Sequence, residues 1–199
     1  PRLITGSFDG NQISDIPDVF FNLTSSLSDG FGFADNPLSA ATREKVKTFY
    51  NHTGKHFGVR PDPADILRTT TLFPDLNADQ ASELLYRLPG TLTESQAQLA
   101  SWEAEFATLK TELGEWANQI PTFDPVFNRL LTLDEHALER SARDEFRQKL
   151  ERFWRTRSAS LRESELTATL DFMGDLPVLS ANFEHVSRLT LMGNKNLTA

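Results

Sequence analysis

The sequence predicts a mainly α chain: a helical domain with long antiparallel helices that leads into short parallel strands at its C-terminus. Three observations carry this reading. First, Leu99, Trp102, Phe106, Leu109, Leu113, Trp116 and Ile120 recur in alternating steps of three and four, an apolar stripe along one helix face. Second, Thr93 with Gln96 and Thr132 with Glu135 match a reciprocal cap, in which each side chain satisfies an orphan amide of the first turn. Third, near residue 166 the period changes, and Leu170-Asp171-Phe172 and Leu189-Thr190-Leu191 alternate as strands do.

Composition narrows the function classes. A chain of 199 residues forms one domain or two small ones, and 39% hydrophobic with 24% charged residues is a globular balance. A net charge of −8 opposes nonspecific binding to nucleic acid and anionic membranes. No apolar run approaches the roughly 20 residues of a membrane span. Cysteine is absent, which excludes disulfides, thiolate metal sites and a cysteine nucleophile within this chain. Pro1-Arg2-Leu3-Ile4-Thr5 has no signal-peptide character and no initiator Met, as expected of a segment from inside a longer protein or one that follows a tag.

The elements follow in order. Residues 1–37 are rich in Gly, Asp, Ser and Phe, with turn signals at Asp9-Gly10, Asp29-Gly30 and Asn36-Pro37. They read as an irregular arm whose phenylalanines pack onto the following helices; residues 16–23 fit a short helix or a strand. A helix starts at the cap Ser39 and stops at Gly54, and Arg60-Pro61-Asp62-Pro63 reads as a linker. A short helix is capped by Asn77, presents Ala81, Leu84, Leu85 and Leu88, and ends at Pro89-Gly90. The striped helix comes third and closes at Pro121. The fourth begins at Thr132 and carries Leu138, Ala142, Phe146, Leu150 and Phe153 or Trp154 as its apolar positions. The short connection between these last two predicts an antiparallel pair. The implied division is an arm with one helix over 1–60, a helical linker or capping domain over 61–165, and a repeat start over 166–199.

The C-terminal segment carries the most specific pattern. Leu189 follows Leu170, Leu191 follows Phe172, and Asn194 follows Asp175 by the same 19 residues. One short strand per unit of about 20 residues is a solenoid signature. Val186, Leu189, Leu191, Asn194 and Leu197 match the leucine-rich repeat spacing, in which leucines point into the core and the Asn bonds turning backbone. The alternative is an ordinary β-hairpin edge on a helical domain.

Leu72-Phe73-Pro74-Asp75-Leu76, the stripe ending at Trp116, Phe153-Trp154-Arg155, Leu176-Pro177 and Phe183-x-His185-Val186-x-x-Leu189-x-Leu191 stand in a telling order. Over about two thirds of the chain, this order resembles the segment before the repeats in large bacterial toxin-like effectors, common in pseudomonads. Those proteins carry leucine-rich repeats and then a C-terminal NEL-type E3 ubiquitin ligase domain, similar in layout to the secreted IpaH-type ligases. The resemblance implies a secreted effector delivered to a host cell and a protein partner. The ligase chemistry of that family uses a cysteine, so no catalytic residue carries over to this chain.

Other chemistry finds no support in the pattern. His52 and His56 are four apart, but Gly54 lies between them and no third ligand matches, so they read as a surface pair. His136 and His185 are isolated, Asp171 and Asp175 straddle a turn, and Glu103 and Glu105 point to different helix faces. No phosphate loop or hydrolase motif occurs, and no cofactor or metal is expected. The basic run Arg140 to Arg157 is interleaved with Glu139, Asp144, Glu145 and Glu151 and reads as a solvated, salt-bridged face. Two functions remain in view: a non-catalytic scaffold that caps a repeat array, and an enzyme or toxin domain with an unrecognised site within residues 1–130.

Overall fold

The computed structural model describes residues 5–22, 30–125, 127–158, 164–183 and 186–193. Helix makes up 55% of the structure and the strands are few and short, so the mainly α class holds. The chain divides into two compact units, Pro1–Ser101 and Trp102–Ala199. Residues 1–60 and 61–101 of the sequence-based division therefore share the first unit.

In that unit β1 (Gly6–Ser7) pairs in parallel with β2 (Phe31–Gly32), and the ambiguous segment after Ile16 is helical, as α1 (Asp18–Phe21). The phenylalanines form a connected cluster: Phe8 stacks on Phe33 at 4.9 Å, Phe20 meets Phe33 edge-on at 5.0 Å, and Phe21 meets Phe49 of α2 at 5.8 Å. α2 (Ala40–Thr53) is capped by Ser39 and ends at Gly54, whose φ of 72° is the left-handed closure that favours glycine.

Sequence reading overlooks α3 (Pro63–Leu72), because Asp62-Pro63 reads as linker. Asp62 is instead its N-cap, accepting from the Ala64 amide at 2.8 Å, and Pro63 fills the first turn, where a missing N–H costs nothing. α4 (Ala78–Arg87) begins with the Asn77–Gln80 capping box. Its C-terminal carbonyls would be orphans, and Lys47 of α2 takes them: buried Nζ donates to Tyr86 O at 2.6 Å, to Leu88 O, and to Asn51 Oδ1 at 3.2 Å. Burial lowers the Lys47 ammonium pKa from its ordinary value, with Glu44 opposing the shift.

α5 (Leu92–Asn118) starts earlier than the sequence predicts. Its reciprocal cap is Thr91 with Glu94, at 2.7 and 3.1 Å, and not Thr93 with Gln96. The Gln96 side chain is engaged elsewhere, donating to Asp65 Oδ2 at 2.7 Å. Within the stripe Leu99, Phe106, Leu109, Leu113 and Trp116 are buried, Trp102 is half-buried, and Ile120 is half-buried beyond the helix end.

In the second unit, β3 (Phe123–Asp124) and β4 (Arg129–Leu130) form a small antiparallel hairpin before α6 (Leu133–Arg155). The Thr132–Glu135 capping box is in place as predicted. Arg129 donates to Glu135 at 2.6 Å, and the Thr132 amide at 2.8 Å; the arginine bond first, then Thr132, push the Glu135 carboxyl down to about 2. A depressed carboxylate stabilises the fold above its ordinary pKa, so this cap should loosen only as pH falls from about 4.3 toward 2. The Thr132 amide proton should accordingly titrate by NMR with a midpoint about 2; a midpoint near 4.3 would show the cap open in solution.

α6 corrects the sequence reading on one face. Leu138, assigned to the apolar side, is 70% exposed, while Glu139 and Arg143 are buried. The buried row continues through Phe146, Leu150, Phe153 and Trp154. Trp116 meets Phe146 at 5.7 Å and Phe106 meets Trp154 at 4.9 Å. After a short 3-10 turn at Thr156–Ser158, β5 (Ser164–Leu170) pairs in parallel with β6 (Val186–Gly193). The register places Leu166 opposite Leu189 and Ala168 opposite Leu191, 23 residues apart, so the offset of 19 is corrected. The inward row of β5 contains Ala168, a small residue where the repeat pattern leads one to look for leucine.

Candidate functional site

Parallel strands need a crossover, and here residues 171–185 supply it without a helix among the described residues. A non-helical segment has backbone groups that need partners. Side chains of α5 and α6 provide them. Glu139 accepts the Met173 amide on both oxygens, at 2.9 and 3.0 Å. Arg143 Nη2 donates to Met173 O at 2.6 Å, and Nη1 donates to Trp116 O at 3.0 Å. Glu139 and Arg143 also pair with each other at 2.9 Å, with side chains only 4% and 3% exposed. One buried ion pair thus holds both the amide and the carbonyl of Met173.

Three further contacts extend the clamp along the crossover. Trp116 Nε1 donates to Asp175 O at 2.9 Å. Glu112 accepts the Ser180 amide at 3.0 Å and its hydroxyl at 2.6 Å. Glu105 accepts the Asn182 amide at 2.8 Å and Trp154 Nε1 at 2.9 Å, while Arg157 donates to it from both terminal nitrogens at 3.1 Å. Burial works against the Glu105 charge, but the bonds from Arg157, Trp154 and Asn182 outweigh it and hold its carboxyl below the ordinary range. Glu105, Glu112 and Trp116 lie at i, i+7 and i+11, a single row on α5.

Aromatic rings fill the space beneath. Phe172 lies 5.0 Å from Trp116 and 5.2 Å from Phe146, and Phe183 stacks on Phe153 at 6.4 Å. The Arg143 guanidinium sits 4.8 Å from the Trp116 ring centre, close enough for a cation–π contact. Chemically this arrangement is a clamp. Each of its three carboxylates is occupied by N–H or O–H donors.

No family model, curated protein or solved structure matches this chain.

The predicted repeat residues Val186, Leu189 and Leu191 lie in the backbone of β6, while Asn194 and Leu197 fall outside the described residues. Of the predicted stripe, Trp116 reaches the clamp directly, and Phe106 packs on Trp154. Sequence reasoning missed Glu105, Glu112, Glu139 and Arg143, having assigned charged residues to solvent. The signal available was the row itself: carboxylates flanking the stripe at heptad spacing. His52 is exposed, with Nδ1 2.7 Å from Thr48 O, and His56 stacks on Tyr86 at 5.0 Å. Among the described residues no group of three His, Asp or Glu could hold a metal ion. His185 lies outside the described residues.

Proposed function

We propose that this chain is a non-catalytic capping and linker module, whose α5 and α6 form an antiparallel pair sealing the first edge of a leucine-rich repeat array. The array recognises a protein partner, and the parent is a secreted bacterial effector resembling the NEL-type E3 ubiquitin ligases, with ligase chemistry in a domain outside this chain. The observation that supports this most is the parallel β5–β6 pair, 23 residues in offset, joined by a crossover whose backbone bonds to side chains of the helices. Within a stacked array, each coil gives its neighbour hydrogen-bond partners and apolar contact. The first coil has no preceding neighbour, and Glu105, Glu112, Glu139 and Arg143 stand in for it. An exposed first coil would leave strand edge and apolar surface bare.

The test follows from the weakness of two strands alone in water. Residues 164–199 expressed by themselves should exchange their amide hydrogens freely, while the full chain should protect residues 166–170 and 188–192. Equal protection in both would mean that the strand pair folds independently, and the capping role would be lost.

A further inference from the structure

We propose that the first unit carries a docking groove for an acidic peptide segment: Arg43 takes a carboxylate, and Leu38, Val59, Ile66 and Leu67 take the apolar side chain beside it. The groove lies between residues 33–38, the irregular residues 59–61 and one side of α3, and encloses ≈ 510 Å³. That is within the range of about 300–1,000 Å³ usual for ligand pockets. Its walls are mostly apolar, and among the described residues one of its two cations has no carboxylate bonded to it.

That cation is Arg43. Its Nε donates to Leu38 O at 3.2 Å and its Nη1 to Arg60 O at 2.6 Å. Both acceptors are neutral carbonyls, and Nη2 has no hydrogen bond among the described residues. Arg147 and Arg157 are also half-buried, and each pairs with a carboxylate. A half-buried guanidinium with an open fork matches a carboxylate in shape and charge. Arg60 lines the same groove, but its charge is met by Asp79 at 2.8 Å.

Two features favour a peptide over a bare carboxylate. Leu67 is 67% exposed on the groove wall, and a small anion would leave it wet. Asp35 also lines the groove, exposed and held at a φ of 54°. It repels a second carboxylate, which directs the ligand acid to Arg43, and it can accept an amide hydrogen from an extended backbone.

The experiment uses the full chain on an array of octapeptides of randomised sequence. The expected result is enrichment of Asp or Glu beside Leu, Ile or Phe, with binding reduced about tenfold or more by Arg43→Met, the scale of losing a charge-assisted hydrogen bond. Leu67→Ser, at an exposed position, should weaken the same peptides without lowering the melting temperature, and it decides the matter if Arg43→Met fails to fold. No enrichment, enrichment of neutral or basic peptides, or equal binding by both variants overturns the proposal. Octanoate shifting the Arg43 Nε resonance while no peptide is enriched would overturn it in favour of a small carboxylate. Concentration-dependent dimerisation abolished by Leu67→Ser, again without enrichment, would overturn it in favour of a second copy.

Discussion

Arg143→Met should destabilise the second unit by about 3–5 kcal/mol, the cost of leaving one member of a buried ion pair without its partner. Three losses coincide in this variant. Glu139 loses its cationic partner in a position 4% exposed, and the carbonyls of Met173 and Trp116 lose their donors. The double variant Glu139→Gln with Arg143→Met removes the stranded charge while a Gln oxygen can still accept the Met173 amide. It should therefore be more stable than Arg143→Met alone, although two carbonyls remain short of donors. Urea unfolding followed through the tryptophan fluorescence of the second unit, which holds Trp102, Trp116 and Trp154, gives both values. A loss below about 1 kcal/mol for the single variant, the range of exposed pairs, would show that water reaches the site in solution.

Trp116→Ala should cost about 3–5 kcal/mol, as expected for a buried large aromatic. The ring touches Phe146 and Phe172 at once, stacks beneath Arg143, and its Nε1 holds Asp175 O. Trp116→Phe separates these roles. It keeps most of the apolar contact but deletes the donor, and water can replace that donor at the exposed Asp175, so its loss should be about 0.5–1.5 kcal/mol, the net worth of one hydrogen bond. Thermal melting of both variants checks this order. If Trp116→Ala melts with the wild type, the stripe is a surface feature and not part of the clamp.

Local signals were read well from sequence, and long-range ones were not. Asn77 and the Thr132–Glu135 box sit where the pattern places them, because a cap needs only residues three apart. Gly54 ends α2 for an equally local reason. The cap of α5 was misplaced by two residues because Thr91-x-x-Glu94 and Thr93-x-x-Gln96 both fit, and only the tertiary contact of Gln96 with Asp65 separates them. α3 was missed because Asp-Pro signals a turn as readily as a helix start. The clamp was missed for a deeper reason. Assigning Glu139 and Arg143 to solvent follows the usual preference of charges, and only the unmet backbone of a crossover 30 residues away reverses it. The strand offset failed because Ala168 occupies an inward position that pattern matching gives to leucine.

The row Glu105, Glu112 and Trp116 has a consequence for which lengths of chain can change. Each residue advances an α-helix by about 100°, so one residue inserted between Glu105 and Trp116 would turn the two ends of the row that far apart. Asn182, held by Glu105, and Asp175, held by Trp116, could then no longer be reached together. The strands Phe123–Asp124 and Arg129–Leu130, by contrast, pair with each other, and lengthening the connection between them leaves the spacing of Glu105, Glu112 and Trp116 on α5 unchanged. Insertions and deletions among descendants of this chain should therefore collect in the hairpin and be absent from the middle of α5, so that helix serves as a ruler whose graduations are read by the strand-to-strand segment.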